Sequence, residues 1–170
     1  MNSKKNLVFL GMMGSGKSSI GRLISGKMNL VFIDIDNLIE EKEEMSISDI
    51  FKKKGENYFR NLEEKITLKA LKTFNSVVSL GGGSFINEKI RLAILTNHYS
   101  FWLNLDEAIL LKRIKDSKKR PLAFKSTNSQ IRQLIKKRSI IYSKAQFKIN
   151  CNKLTKNEIV KNVIKTYELI

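Results

Sequence analysis

The sequence predicts an α/β fold in which a five-stranded parallel sheet is covered by helices on both faces. Five short apolar runs are each followed by a segment with helical spacing of apolar residues, as is typical of parallel sheets. A glycine-rich loop lies between the first apolar run and the first helix. The length of 170 residues, 42% of them hydrophobic, predicts a single domain over residues 1–170 with a sizeable core.

The glycine-rich loop at residues 11–18, GMMGSGKS, is a complete match to the phosphate-binding pattern G-x-x-x-x-G-K-[ST]. Glycines let the backbone curl so that N–H groups face phosphate, and the following helix adds its positive end. Lys17 supplies a mobile cation and Ser18 a hydroxyl for Mg²⁺, the expected cofactor. The sequence therefore predicts a P-loop three-layer fold. Its expected phosphate-binding residues are Gly14, Ser15, Gly16, Lys17, Ser18 and Ser19.

The first half of the chain is divided by caps and glycines. Ser46 and Asp49 fit a helix capping box, and Gly55 ends that helix. The predicted strands are residues 7–10, 31–36 and 77–80, the last followed by three glycines. The predicted helices follow the phosphate loop and cover about residues 37–44, 47–54, 57–73 and 87–95.

The second half continues the alternation of strands and helices. Residues 100–103 and 147–150 are the remaining predicted strands. Helices are expected after Asp106, over the amphipathic stretch from Ile131 to Tyr142, and after Thr155, which Glu158 completes as a capping box. The segment 115–126 is polar, basic and interrupted by Pro121, which predicts a loop.

Asp34 and Asp36 lie at the end of the second predicted strand. Because they are two residues apart, they are predicted to project to the same side of the sheet, beside the phosphates. The third strand ends in Ser-Leu-Gly and offers no acid, so Asp34 is the best candidate to support a Mg²⁺ ion held by Ser18. Asp36 is then a candidate to accept a proton or hydrogen bond from an acceptor hydroxyl. The structural alternatives are a solvated acid for Asp34 and a helix cap for Asp36.

Composition narrows the expected partners and compartment. The net charge is +16, but 25 of the 32 cations are lysines, and the basic runs carry no interleaved aromatic residues. This pattern favours a compositional bias over specific nucleic-acid binding. The single cysteine, Cys151, excludes an internal disulfide and fits a reducing compartment. No apolar stretch reaches 18 residues, so we expect a cytoplasmic protein without a membrane partner. We also expect a monomer.

Six segments together resemble the shikimate kinase family in order and spacing, over nearly the whole chain. Six ordered motifs are far more specific than the phosphate loop alone. The segments are GMMGSGKS at 11–18, FIDIDNLIE at 32–40, ISDIFKKKGENYFRNLE at 47–63, LGGG at 80–83, RPL at 120–122 and RSIIYSKA at 138–145.

The resemblance implies Mg²⁺-assisted transfer of a phosphoryl group from ATP to the 3-hydroxyl of shikimate, a step of aromatic amino-acid biosynthesis. By the same resemblance, Lys17 and Ser18 handle the phosphates and the metal. Asp34 supports the metal and lies near the substrate. Asp36 meets the shikimate hydroxyls and is the base.

The resemblance also assigns the remaining site residues, within a shikimate-binding region at about residues 34–63. Arg60 and Arg138 hold the shikimate carboxylate, and Gly82 and Gly83 approach substrate and γ-phosphate through backbone contacts. Arg120 belongs to a mobile lid at about residues 115–126 and reaches the phosphates. Two further positions are expected beside the nucleotide: Arg113, and the segment 150–154 near adenine, in which no residue is assigned.

Arginine chemistry supports these roles independently. Only seven of the 32 cations are arginines, and their planar fork suits carboxylate and phosphate. Four of the seven are Arg60, Arg113, Arg120 and Arg138. A surface ion pair is the structural alternative for each of these four, and a helix face explains Arg113 about as well. Three other functions stay open at this point: a kinase for another polyol acid such as gluconate, a nucleoside monophosphate kinase, and a basic nucleotide-dependent regulator or nucleic-acid binder.

Overall fold

The computed structural model describes residues 5–115 and 126–169. It contains one five-stranded sheet, all of whose strands are parallel, in the order β2-β3-β1-β4-β5. The prediction of a five-stranded parallel sheet is confirmed. The strands are β1 (Leu7–Leu10), β2 (Val31–Asp34), β3 (Ser76–Ser79), β4 (Tyr99–Asn104) and β5 (Phe147–Asn150).

Seven α-helices lie within the described residues and connect or follow these strands. A short 3₁₀ helix, Ser84–Ile86, comes directly after the three glycines. The α-helices are α1 (Lys17–Met28), α2 (Ile35–Glu43), α3 (Ile47–Ala70), α4 (Glu88–Asn97), α5 (Glu107–Lys115), α6 (Asn128–Tyr142) and α7 (Lys156–Glu168). Among the residues that the structure describes, no helix is long and apolar enough to cross a membrane.

The core is built on the central strands, because parallel strands covered on both faces bury nearly every side chain. All four residues of β1 and of β3 are buried. A row of rings crosses three strands: Phe9 stacks on Phe101 at 5.5 Å between centroids, and Phe101 stacks on Phe147 at 5.0 Å. Full burial of each such ring contributes roughly 1.5–3 kcal/mol. This packing fixes the strand ends that carry the site.

The second strand ends earlier than predicted. Ile35 and Asp36 belong to α2, because the Asp34 side chain caps this helix by accepting hydrogen bonds from the Asp36 and Asn37 backbone N–H groups at 3.1 and 3.5 Å. The prediction that Asp34 and Asp36 project from one strand is therefore wrong. The cap is Asp34 and not Asp36, and Asp36 lies in the first helical turn.

The helix break predicted at Gly55 is present in a different form. Gly55 has φ 81° and ψ 169°, a conformation that L side chains rarely adopt, but helix continues on both sides of it within α3. Ser46 caps the helix as predicted, accepting from the Asp49 N–H at 3.2 Å. The capping box of Thr155 and Glu158 at the start of α7 is also confirmed.

Candidate active site

A cavity of about 500 Å³ lies at the carboxyl ends of the strands, where ligands bind in open α/β sheets. All six residues predicted to bind phosphate line it. Asp36, Gly82 and Arg113 reach it from other parts of the chain. Leu154 and Ile159, at the start of α7, form a further wall. Most of the predicted lid, residues 116–125, and the predicted phosphate contact Arg120 lie outside the described residues.

The phosphate loop has the curled backbone that its glycines predict. Gly11 has φ 142°, and a Cβ there would lie 2.8 Å from the Leu103 carbonyl oxygen, so no other residue fits this turn. Gly16, with φ 93°, is the N-cap residue of α1. Since it contributes no side-chain cap, the first N–H groups of α1 are available to an anion.

The polar groups of the loop are those a nucleotide needs. Lys17 is buried, and its Nζ donates to the carbonyls of Gly11 and Met12 at 3.0 and 3.1 Å. Among the described residues, the buried Ser15 hydroxyl has no hydrogen-bond partner, an arrangement that favours a ligand there. Arg113 closes the loop from α5, with its Nη1 donating to the Gly14 carbonyl at 3.1 Å.

Asp36 faces the phosphate loop from the opposite wall. Burial raises the pKa of its carboxyl from 3.8 to about 6, although the Lys17 cation acts in the opposite direction. The charges of Asp34, Glu63 and Glu40 raise this pKa further. A part-buried carboxylate that titrates near neutrality beside a phosphate site is suited to proton transfer.

Asp34 is not among the residues that line this cavity. Its side chain lines a neighbouring groove between β2, α2 and α3. In the sheet register, however, it pairs with Ser79, whose Oγ is 3.4 Å from the Ser18 Oγ. Both hydrogen bonds of the helix cap are accepted by Oδ1 of Asp34, so the cap does not use its other oxygen. Ser79, on the neighbouring strand, thus lies between Asp34 and the Ser18 hydroxyl that is expected to bind the metal.

The three glycines bring both predicted carboxylate-binding arginines beside Asp36. A Cβ on Gly83 would lie 2.5 Å from Arg60 Nη1, and one on Gly82 would lie 3.5 Å from Arg138 Nη1. A Cβ on Gly81 would lie 2.7 Å from Asp36 Oδ1. Arg60 comes from α3 and Arg138 from α6, so two distant helices converge on one short strip of backbone. The glycines make this approach possible.

Arg60 is held from several sides. Its Nη1 donates to Glu63 Oε2 at 2.8 Å, and its Nε and Nη2 lie 3.3 Å from Glu56 Oε1. The guanidinium carbon lies 5.2 Å from the Phe59 ring centroid and 5.9 Å from that of Phe51. A cation over aromatic faces is stabilised by the ring quadrupole. The side chain is 31% exposed, which leaves it open to a ligand.

Three residues of the site were not identified from the sequence. Glu63 carries a readable signal, since it is three residues from Arg60 on a predicted helix, a spacing at which opposite charges pair. Ser79 follows from no local pattern. Tyr142, whose hydroxyl donates to the Gly82 carbonyl, was predicted only as an apolar helix residue. Its partner lies 60 residues away in the chain, so no sequence spacing reveals the contact.

A phosphate loop before the first helix of an all-parallel sheet, with an acidic and an arginine-rich wall opposite, defines a P-loop kinase, a phosphotransferase. The chain belongs to the shikimate kinase family: the family model described as Shikimate kinase matches residues 13–168. A shikimate kinase of Sulfurihydrogenibium sp. (strain YO3AOP1) is 41% identical over 160 residues, 94% of this chain and 96% of that protein.

Solved structures give the same result. Shikimate kinase from Aquifex aeolicus has a TM-score of 0.86 and 36% identity, with 96% of each chain covered. Shikimate kinase from Acinetobacter baumannii, in complex with shikimate, has a TM-score of 0.91 and 26% identity, covering 96% of this chain and 92% of that chain. The family membership favours shikimate kinase over the gluconate kinase and nucleoside monophosphate kinase interpretations.

Proposed function

We propose that this chain transfers the γ-phosphoryl group of ATP to the 3-hydroxyl of shikimate, giving shikimate 3-phosphate and ADP. The observation that carries the proposal is the convergence of Arg60, Arg138 and Asp36 on the glycine strip at residues 81–83, beside the phosphate loop. This arrangement offers cations for a carboxylate and a base for a hydroxyl on one small ring. It suits an anionic polyol better than a neutral one.

The two arginines bind the shikimate carboxylate in this proposal. Their guanidinium groups present planar forks, and each can donate two parallel hydrogen bonds to a carboxylate. The Arg60 guanidinium lies over the Phe59 ring. The Arg138 Nη1 lies 4.0 Å from Met12 Sδ of the phosphate loop. The carboxylate therefore lies between α3 and α6. The opposite end of the ring then points toward Asp36 and the phosphates.

Asp36 accepts the proton of the attacking hydroxyl. As the shikimate oxygen bonds to the γ-phosphorus, its O–H bond breaks and the proton passes to the Asp36 carboxylate. The bond from the γ-phosphorus to the bridging oxygen breaks, and that electron pair leaves with ADP. Lys17 stabilises the negative charge on the phosphate oxygens during this step. A base with a pKa near 6 is largely ionised at neutral pH and ready to act.

The nucleotide lies along the phosphate loop. Residues 14–19 bind its phosphates with N–H groups, hydroxyls and the Lys17 cation. Arg113 flanks the nucleotide, and its position against the Gly14 carbonyl supports this role. The apolar side chains of Leu154 and Ile159, which line the same cavity, are suited to contact adenine. Arg120, on the lid proposed for residues 115–126, reaches the phosphates when the lid closes.

Mg²⁺ is the proposed cofactor. The described residues contain no group of three or more His, Cys, Asp or Glu side chains that could hold a metal by themselves. This fits Mg²⁺, which is usually bound through one or two protein oxygens together with substrate phosphates and water. Ser18 Oγ would be its direct protein ligand and Asp34 its supporting carboxylate, near Ser79. The ion would neutralise charge on the phosphates.

We further propose that the enzyme works as a cytoplasmic monomer without a specific nucleic-acid or membrane partner. The chain has a single cysteine and cannot form an internal disulfide, which fits a reducing compartment. The excess charge is spread over lysines, which suits a solvated surface. Size-exclusion chromatography with light scattering tests the monomer, and a dimer mass at micromolar concentration would contradict it.

One assay tests the proposed reaction. ADP release is measured with ATP, Mg²⁺ and, separately, shikimate, quinate, gluconate and a nucleoside monophosphate. We expect turnover with shikimate that exceeds turnover with gluconate and with the nucleoside monophosphate by at least about 100-fold, because neither carries a carboxylate and a hydroxyl on one small ring. Quinate, which does, shows how strictly the ring is selected. ³¹P and ¹H NMR of the product should locate the phosphate on the 3-hydroxyl. Comparable rates with gluconate would contradict the proposal.

A further inference from the structure

Tyr142 is a buried phenol that the proposed chemistry does not use. Only 1% of its surface is exposed, and its ring lies 6.0 Å from that of Trp102, at a tilt of 51°. Its hydroxyl donates a hydrogen bond to the Gly82 carbonyl, which can only accept. Burial raises the pKa of the phenol to about 12, so the hydroxyl keeps its proton and remains a hydrogen-bond donor at every pH used in an assay.

The Gly82 carbonyl shares a rigid plane with the Gly83 N–H. Because the peptide unit is planar and trans, its C=O and N–H point in opposite directions. A group that fixes the carbonyl of Gly82 therefore also fixes the direction of the Gly83 N–H. Gly83 is the glycine closest to Arg60, since a Cβ on it would lie 2.5 Å from that guanidinium. Gly83 thus lies beside the arginine that is proposed to bind the acceptor substrate.

Arg138 and Tyr142 hold this strip from one helix. They are four residues apart on α6, so their side chains lie one above the other on the same face. Arg138 Nη1 lies 3.5 Å from the Cβ position of Gly82, on which the Tyr142 hydroxyl also acts. Both side chains also contact Met12 Sδ of the phosphate loop, at 4.0 and 3.8 Å. The helix therefore ties the glycine strip to the phosphate loop.

We propose that Tyr142 is a positioning residue that sets the Gly82–Gly83 peptide so that the Gly83 N–H binds the acceptor. This inference rests on the proposed shikimate kinase activity. Tyr142 contacts neither substrate itself. It acts through the peptide, although its hydroxyl also interacts with the Arg138 side chain. Its removal should weaken binding of the acceptor while binding of the nucleotide is retained, and the Gly83 amide signal separates the peptide from the arginine.

The test variant is Tyr142→Phe, which keeps the ring against Trp102 and removes only the hydroxyl. It leaves a buried carbonyl without its donor, which should raise the KM for shikimate by about 5- to 50-fold. The KM for ATP should change by less than about twofold, within the error of such a comparison. The matched control is Tyr99→Phe. Tyr99 begins β4, so it lies at the opposite end of the sheet from the site, and its KM values should equal those of wild type.

Two outcomes would overturn the inference. One is an unchanged shikimate KM in a folded Tyr142→Phe protein, and the other is an equal rise of both KM values, which is the result of general loosening. Thermal melting of each variant establishes the folded fraction at the assay temperature. If wild type itself does not phosphorylate shikimate, the proposed function fails, and this result is distinct from both outcomes.

A second measurement reports on the peptide directly. The chain has nine glycines, so ¹⁵N-glycine labelling gives a sparse set of amide signals, and triple-resonance spectra of the wild type assign the one from Gly83. Saturating shikimate should shift the Gly83 signal in wild type and in Tyr99→Phe. In Tyr142→Phe the shift at saturation should fall to less than about half, because the N–H is no longer held toward the ligand. An equal shift in Tyr142→Phe would overturn the inference.

Discussion

Arg60 and Glu63, three residues apart on α3, form an ion pair with 2.8 Å between Arg60 Nη1 and Glu63 Oε2. The Glu63 side chain is only 3% exposed, and its other oxygen accepts from Ser84 Oγ at 2.6 Å. One buried carboxylate therefore joins the arginine to the segment that follows the glycine strip. Movement of the guanidinium would leave this carboxylate without its partner, which is costly in the interior.

The first prediction concerns this pair. Glu63→Gln keeps the shape of the side chain but replaces a charged hydrogen bond by a neutral one, a loss of about 1 kcal/mol. The KM for shikimate should therefore rise by about fivefold, with a lower Tm. Glu56→Gln is the matched control, since it removes the exposed carboxylate that contacts the same arginine and should change KM by less than about twofold. Equal effects of the two substitutions would contradict a special role of the buried carboxylate.

The second prediction concerns the pH dependence of activity. Asp36 must be ionised to accept a proton, so kcat/KM for shikimate should fall as pH drops through about 6, the pKa of this carboxyl in the free protein. Asp36→Asn should lower kcat by about 100-fold or more and abolish this acid limb. Asp34→Asn should keep the limb and raise the Mg²⁺ concentration that gives half-maximal rate. An unchanged profile in Asp36→Asn would show that another group titrates.

The third prediction concerns the pH dependence of stability. The Asp36 pKa in the folded protein, about 6, is above its ordinary value of 3.8, so the fold disfavours the ionised form. The stabilisation that comes with the protonated form is complete below pH 3.8 and is lost as pH rises to 6. Asp36→Asn should therefore stabilise the protein at pH 8, by at most about 3 kcal/mol, and much less at pH 4. A gain in Tm independent of pH would contradict this origin.

The fourth prediction concerns Lys17. Lys17→Ala removes the cation that stabilises charge on the transferred phosphoryl group and on ADP, so turnover should be abolished. The protein should stay folded at the assay temperature, with a lower Tm because the Gly11 and Met12 carbonyls lose their donor. Lys27→Ala, an exposed lysine in the last turn of the same helix, is the control and should keep the wild-type rate. Steady-state kinetics and a thermal melt are sufficient. More than about a tenth of the wild-type kcat in Lys17→Ala would exclude the proposed role, given the size of such electrostatic effects.

Most of the fold was predictable because apolar runs and caps are local signals. The five strands and the caps at Ser46 and Thr155 follow directly from residue types. The start of α2 did not follow, because the alternation Val-Phe-Ile-Asp-Ile-Asp fits a strand as well as it fits the approach to a helix. The helix begins at Ile35 because the Asp34 side chain accepts hydrogen bonds from two N–H groups of the first helical turn.

The site was predictable only where residue identity carries the chemistry. Glycines, a lysine and a serine at fixed spacing predict a phosphate loop. Arginines that are rare in a lysine-rich chain indicate an anionic ligand. Contacts between distant segments are not readable in the same way. The convergence of Arg60 and Arg138 on the glycine strip depends on how α3 and α6 pack against the sheet. It came from the family resemblance and not from spacing.

The central claim is that Arg60 and Arg138 bind the carboxylate of the acceptor. The direct measurement is calorimetric titration of shikimate, and of an analogue lacking the carboxylate, into wild type, Arg60→Ala and Arg138→Ala. A hydrogen bond to a charged partner contributes roughly 1.5–3 kcal/mol, so either substitution should weaken shikimate binding by about 10- to 150-fold. Binding of the analogue and of ATP should hardly change. If the substitutions weaken binding of shikimate and of the analogue equally, the arginines do not read the carboxylate and the account is contradicted.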